Sequence, residues 1–334
     1  MNQVEVESPE EIDFEISEVD RLEFKRLDQF LAEKIDGYSR TFIKNLFMND
    51  QVQLAEDSPN QSIKLELKKM PPVGTKFSVQ IPPPMPADAL PENIPLEILY
   101  EDEHLVFVNK PAGLVTHPAP GNYTGTLVNA ILYHCKDIKG VGDQKRPGIV
   151  HRLDKGTSGV MVIAKTQACH EGLVLLFASH NIDRYYQAII MSSRMESHGK
   201  IESTIGRDPH NRLKMKANVT RGKNAITHYK LLEQFTHHAH VEFKLETGRT
   251  HQIRVHTSEV LKRAILCDST YANPHEQLMR VTPEIKTLLK DYPYPLLHAK
   301  VLGLVHPITK EKLHFEVPPP KIFQEVLELS RKTS

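Results

Sequence analysis

The chain holds three cysteines among 334 residues, Cys135, Cys169 and Cys267, an odd number set far apart. That excludes a disulfide framework and the paired spacing of a zinc site, and the simplest compartment for such a protein is a reducing cytoplasm. No apolar run approaches the roughly 18–20 residues of a membrane span, so no membrane partner is expected, and no signal-peptide pattern opens the sequence. There is no Gly-x-Gly-x-x-Gly and no phosphate-cradling loop, which removes the common nucleotide-cofactor reading. There is no Gly-x-Ser-x-Gly elbow either, which removes the ordinary serine hydrolase. Histidine is plentiful, with 18 copies. The runs "HHAH" at 237–240 and "HLVFVNKPAGLVTHP" nevertheless lack a carboxylate or cysteine at ligand spacing, so neither metal nor other cofactor is expected.

Net charge is zero, but its distribution is not even. Residues 1–20 carry eight acids and no Lys or Arg, leaving the rest of the chain at 42 − 34 = +8. An acidic disordered tail (1–20) on a basic body points to a polyanionic partner for the body.

The remainder divides at a proline-rich stretch. "RLDQFLAEKIDGYSRTFIKNLF" reads as two short helices, with Leu27, Phe30 and Leu31 on one stripe and Phe42, Leu46 and Phe47 on the next. Ser39 is the expected cap of the second helix, on which Arg40 and Lys44 stand one turn apart, suited to phosphates. A turn and a strand close this small α/β unit, residues 21–85. Residues 82–95 hold six prolines and no periodicity, which predicts a stiff linker, set at 86–94. Beyond it, over 95–325, β-rich runs outnumber helical ones and do not alternate with them. The expected fold is α+β, a large and mostly antiparallel mixed sheet flanked by helices and loops.

Two charged clusters remain for chemistry. "HRLD" supplies His151, Arg152 and Asp154 ahead of the apolar run "SGVMVIAK". Alone, an Arg-x-Asp turn is an ordinary surface ion pair of little worth. "TGRTHQIRVH" supplies Arg249, His251, Gln252, Arg254 and His256 at a strand-to-helix turn, which is good anion-binding equipment. If Arg254 folds back onto Asp154, the pair makes an ionised, oriented carboxylate at the mouth of a basic groove.

Four segments in order resemble the RluA family of pseudouridine synthases: "EDEHLVFVNKPAGLVTHP", "PGIVHRLDKGTSGVMVIAKT", "ETGRTHQIRVH" and "LLHAKVLGLVHPITKEKLHFEVPPP". The likeness spans about residues 95–320. The unit before the linker resembles an S4 RNA-binding domain. Together with "HPAPGNYTGTLVNAILYHC", it looks most like the RluD branch, which acts on large-subunit ribosomal RNA.

The resemblance implies roles. Asp154 matches the catalytic aspartate, Tyr186 the active-site tyrosine and Arg254 the arginine that pairs with the aspartate. His151 and Arg152 would hold the extruded nucleotide and its backbone, with Arg249, His251, Gln252, Arg40 and Lys44 as further RNA contacts. The chain departs from the family pattern in three places. Arg184 stands where lysine is usual and Gly156 where aspartate is common. "CDSTYA" stands for Gly-Asp-x-x-Tyr-Gly, with Cys267 and Ala272 at the glycine places.

The implied reaction breaks the N1–C1′ bond of uridine, turns the freed uracil and rejoins it at C5, with no redox step or energy source. The base must leave its stack to be reached. The implied partner is RNA, 23S ribosomal RNA or a precursor of the large subunit, bound by a monomer. A transfer-RNA pseudouridine synthase and a non-catalytic S4-type RNA-binding protein are the alternatives. A glycosidase would need a second carboxylate beside Asp154, and these motifs hold none.

Overall fold

The computed structural model describes residues 10–35, 38–81, 89–118, 122–136, 138, 140–143, 146–211 and 213–333. The chain forms two compact units, Met1–Pro86 and Ala87–Ser334.

The first unit runs β1 (Glu10–Glu15), α1 (Glu18–Glu23), α2 (Leu27–Lys34), α3 (Arg40–Met48), β2 (Val52–Leu54) and β3 (Lys76–Ile81). Its sheet has the order β1-β3-β2, antiparallel throughout. The helical stripes read from sequence supply its core: Leu27, Phe30 and Leu31 of α2 and Leu46 of α3 are buried with Phe77 and Val79 of β3. Ser39 caps α3, its hydroxyl accepting from the Phe42 amide at 3.3 Å.

Residues 10–20 correct the expectation of a disordered tail. Ile12 and Phe14 of β1 turn toward the core while Glu11, Asp13 and Glu15 stay in solvent, so an acidic stretch satisfies the two-residue period of an outer strand. Ser17 and Asp20 then exchange hydrogen bonds as a capping box that starts α1. Residues 1–9 of the expected tail lie outside the described residues.

The second unit opens with β4 (Glu97–Glu101), β5 (Leu105–Lys110), α4 (Leu127–His134), β6 (Ser158–Ala164), α5 (Gln167–Ala178) and β7 (Asp183–Met191). It continues with β8 (His198–Arg207), β9 (Met215–Ala217), β10 (Lys223–Gln234), β11 (His238–Leu245) and α6 (Gln252–Val255). It closes with α7 (Pro274–Leu278), α8 (Pro283–Leu289), β12 (Leu297–Val305), β13 (Lys312–Glu316) and α9 (Lys321–Lys332). The ten strands make one sheet in the order β4-β5-β6-β12-β7-β11-β10-β8-β9, with β13 also on β12. Every named pairing is antiparallel except β6 with β12, so the expected mostly antiparallel mixed sheet is what forms. β6 is buried along its whole length, which is why "SGVMVIA" reads as an unbroken apolar run rather than an alternating one. At Gly159, φ is +119° and a Cβ would stand 2.1 Å from the Ala299 carbonyl oxygen, so only glycine lets β6 and β12 meet there.

Three expectations shift. The proposed linker is free over part of its length at most: the Leu90 carbonyl accepts from Asn129 of α4, and the Glu92 carboxylate accepts from the Gly125 amide. Residues 82–88 of that stretch lie outside the described residues. The expected end at 325 falls inside α9, whose Phe323, Val326 and Leu327 are core residues. "HQIRVHTSEVLKRA" gives only the four-residue α6 and a π-helical turn, His256–Val260. The Thr257 and Ser258 hydroxyls donate to the Ile253 and Arg254 carbonyls, four residues back, the kind of competition that distorts a helix.

Candidate active site

Asp154 lies on the loop that enters β6, and the loop is fixed from several sides. Leu153 is buried in the core, and its carbonyl accepts from the Thr116 hydroxyl at 2.8 Å. The Lys155 carbonyl accepts from the Gly113 amide at 2.7 Å, and Asp154's own carbonyl from the Thr157 amide at 3.0 Å. Lys110, fully buried below, donates to the Pro111 and Leu114 carbonyls. Burial draws its ammonium down to about 7, with Asp154 opposing. The Asp154 carboxylate thus stands on a rigid loop, mostly covered yet open to a cavity.

The second cluster meets it. Arg254, on α6 and 100 residues away in sequence, donates from Nη1 to Asp154 Oδ2 at 3.1 Å. Its other edge is gripped by Asp268, which is fully buried and accepts from Nε at 2.8 Å and Nη2 at 2.7 Å. The expected pairing with Asp154 is present, but the two-pronged fork belongs to Asp268 and Asp154 takes a single bond. Burial alone would lower the guanidinium's pKa, but the Asp268 bonds and both carboxylate charges outweigh it and the net shift is upward.

His251 opens α6 with φ +58°, an uncommon backbone for a residue with a side chain. Its Nε2 stands 3.7 Å from Asp154 Oδ2 and its Nδ1 bonds the Tyr271 hydroxyl at 2.8 Å. Burial lowers its pKa, with Asp154 opposing. Tyr271 also lies under Arg254, the guanidinium carbon 5.2 Å from the ring centre.

The cavity beside Asp154 measures about 470 Å³, the size range of a small-ligand pocket. Tyr186 of β7 lines it, and burial raises its phenol pKa. Arg152 is exposed at the rim, and Arg249 is half-buried, its Nε donating to the Asn224 carbonyl at 2.9 Å. His151 also lines it, stacked on Phe177 at 4.6 Å, its Nε2 accepting from the Val162 amide. Burial holds that imidazole down to about 3, so it is neutral and acts as wall rather than as cation.

Gln252 differs from expectation. Its amide donates to the Ile226 carbonyl and the Thr227 hydroxyl, while its oxygen accepts from the Thr247 hydroxyl and the Arg249 amide. Both donors are engaged inside the protein, so Gln252 holds the turn that carries Arg249.

In the first unit, Asp28 accepts from Arg40 at 2.9 Å and from both Nε and Nη2 of Arg26. The Arg26 bonds are the largest cause of its carboxyl lying at about 2. Arg40 therefore presents a guanidinium already oriented by Asp28, and Lys44 is exposed on the same helix.

Sequence reasoning passed over Asp268 and Tyr271, although they occupy the two places of "CDSTYA" that keep the family pattern. Cys267, beside them, has φ +66°, the backbone a glycine takes without strain. This departure carries a cost on the order of 1 kcal/mol and leaves Asp268 in reach of Arg254. Among the described residues one group has metal-like spacing, Glu101, His134 and Cys135. The Lys165 ammonium lies 2.6 Å from that carboxylate, so the cluster already has its cation.

Residues 104–259 match the RNA pseudouridylate synthase family. The chain is 40% identical over 301 residues to ribosomal large subunit pseudouridine synthase D of Zymomonas mobilis, covering 90% of this chain and 92% of that protein. It is 39% identical to the uncharacterized RNA pseudouridine synthase YlyB of Bacillus subtilis, covering 99% of each. Among solved structures, human RNA pseudouridylate synthase domain containing 4 superposes with a TM-score of 0.55 at 27% identity, over 70% of this chain and 93% of that one. No helix among the described residues is long and apolar enough to cross a membrane. Likeness over nearly the full length of such relatives makes the chain a member of the RluA family of RNA pseudouridine synthases, an isomerase acting on RNA.

Proposed function

We propose that the substrate is large-subunit ribosomal RNA and that Asp154 is the catalytic group acting on an extruded uridine. The observation that carries the site assignment is the Asp268–Arg254–Asp154 chain at the wall of a cationic cavity. Arg254 holds the Asp154 carboxylate oriented, whether that carboxylate attacks C1′ or assists loss of the C2′ proton. Tyr186, on the same wall, stacks on the uracil and handles a proton after C5 has rejoined C1′. Arg152 and Arg249 at the rim take the backbone, and His151 with Phe177 closes the apolar side.

The ribosomal substrate is supported by relatives named for the large subunit at 38–41% identity. The first unit is assigned as an S4 domain that adds RNA affinity through Arg40 and Lys44. One chain supplies every residue of this site, consistent with a monomer working in the cytoplasm, where its RNA is found.

Asp154→Asn keeps the shape and removes the reactive carboxylate. Its expected result is no tritium release from RNA labelled at uridine C5, with RNA binding retained. Pseudouridine formed by a variant free of deamidation would remove Asp154 from this role. Mapping pseudouridines in ribosomal and transfer RNA from cells with and without the gene tests the substrate: a missing site in 23S RNA is expected, and loss confined to transfer RNA refutes it.

A further inference from the structure

Two arginines of the site are equally buried, each 7% exposed, yet their surroundings are opposite. Arg254 meets two carboxylates. Arg184 of β7 meets none among the described residues. Its Nη2 donates to the Glu246 carbonyl at 3.0 Å, its carbon stands 5.7 Å from the Phe177 ring centre, and its buried Nε has no partner. A desolvated cation without a counter-anion is unfavourable, and a fold keeps one where something else supplies the charge.

The local geometry directs that charge to the cavity. Arg184 and Tyr186 are two residues apart on one strand, so they share a face, and both line the cavity. At Gly248 an added Cβ would stand 2.8 Å from Arg184 Nη1, so the turn leaves the guanidinium its room. Arg146, Arg152 and Arg249 line the same cavity, which favours a permanent polyanion over a neutral base edge.

We propose that Arg184 seats a backbone phosphate of the RNA next to the target uridine, as the anion that the free protein lacks. This rests on the cavity being the nucleotide site. It assigns Arg184 to substrate binding, with Asp154 left to the bond chemistry.

The test uses the full chain in the Asp154→Asn background and a synthetic segment of large-subunit RNA around the mapped uridine. Single neutral methylphosphonates are placed at each phosphate flanking it. Arg184→Met should weaken binding tenfold or more and flatten the log–log salt slope by about 0.7, one single-strand phosphate. One methylphosphonate should weaken wild-type binding alike and add nothing further in Arg184→Met. Arg184→Lys should keep that sensitivity. Because Met removes an uncompensated buried charge, the free protein's melting temperature should hold or rise.

Additive losses at every flanking phosphate overturn the proposal. So does a melting temperature that falls while the folded variant binds normally, or a loss of saturating turnover, with Asp154 restored, at unchanged affinity. Turnover by Asp154→Asn itself would instead sink the cavity assignment, whatever Arg184 does.

Discussion

Arg254→Lys keeps one positive charge and discards the planar fork. The guanidinium makes three charge-assisted bonds, at 2.8 and 2.7 Å to Asp268 from one edge and at 3.1 Å to Asp154 from another. An ammonium is one point on a flexible stem and cannot reach both carboxylates as the fork does. It should follow Asp268, whose carboxylate is fully buried and costly to leave unpaired, and let Asp154 go. A hydrogen bond to a charged group contributes about 1.5–3 kcal/mol, so losing the Asp154 contact predicts a single-turnover rate roughly tenfold to a hundredfold slower. Losing one of the two Asp268 bonds predicts a similar loss of stability, a few degrees in melting temperature. Tritium release from C5 at saturating RNA reads the first effect and thermal unfolding the second. RNA affinity should change much less than rate, because Arg254 faces the two carboxylates. A lower melting temperature with an unchanged rate would refute the reasoning: the brace would then serve the fold alone, and Asp154 would need no cation.

Other expectations follow from the same geometry. A chain starting at Ala89, which retains the Leu90 contact to α4 and the Glu92 contact to Gly125, should bind RNA more weakly. Its salt slope should be flatter by about a unit or more, at about 0.7 for each single-strand phosphate lost. Its saturating rate should stay within a few-fold; a folded but inactive truncation would end the division into recognition and catalytic units. Burial holds His151 at about 3 and His238, His256 and His298 at about 4, below the ordinary 6.5. Between pH 6.5 and 4 the unfolded chain therefore binds more protons than the native one, and stability present at neutral pH is lost as pH falls through that window. Each ring contributes up to about 1.4 kcal/mol per pH unit, read as denaturant midpoints across the window; midpoints that stay level would show these rings taking protons in the folded state.

Elements whose signal is local are legible in the chain alone. The apolar stripes of α2 and α3, the unbroken run of β6 and the Ser39 cap follow from neighbours within a few positions, where side-chain period and burial are linked. The sequence also singled out Asp154 and Arg254, which lie in two of the four ordered segments that resemble the family, and Tyr186, which stands in the run Arg184-Tyr185-Tyr186-Gln187-Ala188. It misjudged Glu10–Glu15, since net acidity hid an alternation that only pairing with β3 rewards. The rest depends on how distant segments pack. Asp268 sits 14 residues from Arg254 in an unremarkable loop, and nothing in its local spacing announces a buried carboxylate that claims the fork. Gln252 looks like an RNA contact until its four bonds are seen to tie the turn to itself and to β10. Arg184 reads as a lysine substitute, and only the packed structure reveals its burial with no carboxylate beside it among the described residues. Desolvation and hydrogen-bond saturation are properties of the packed environment, set by segments far apart in the chain, so the residue type alone does not reveal them.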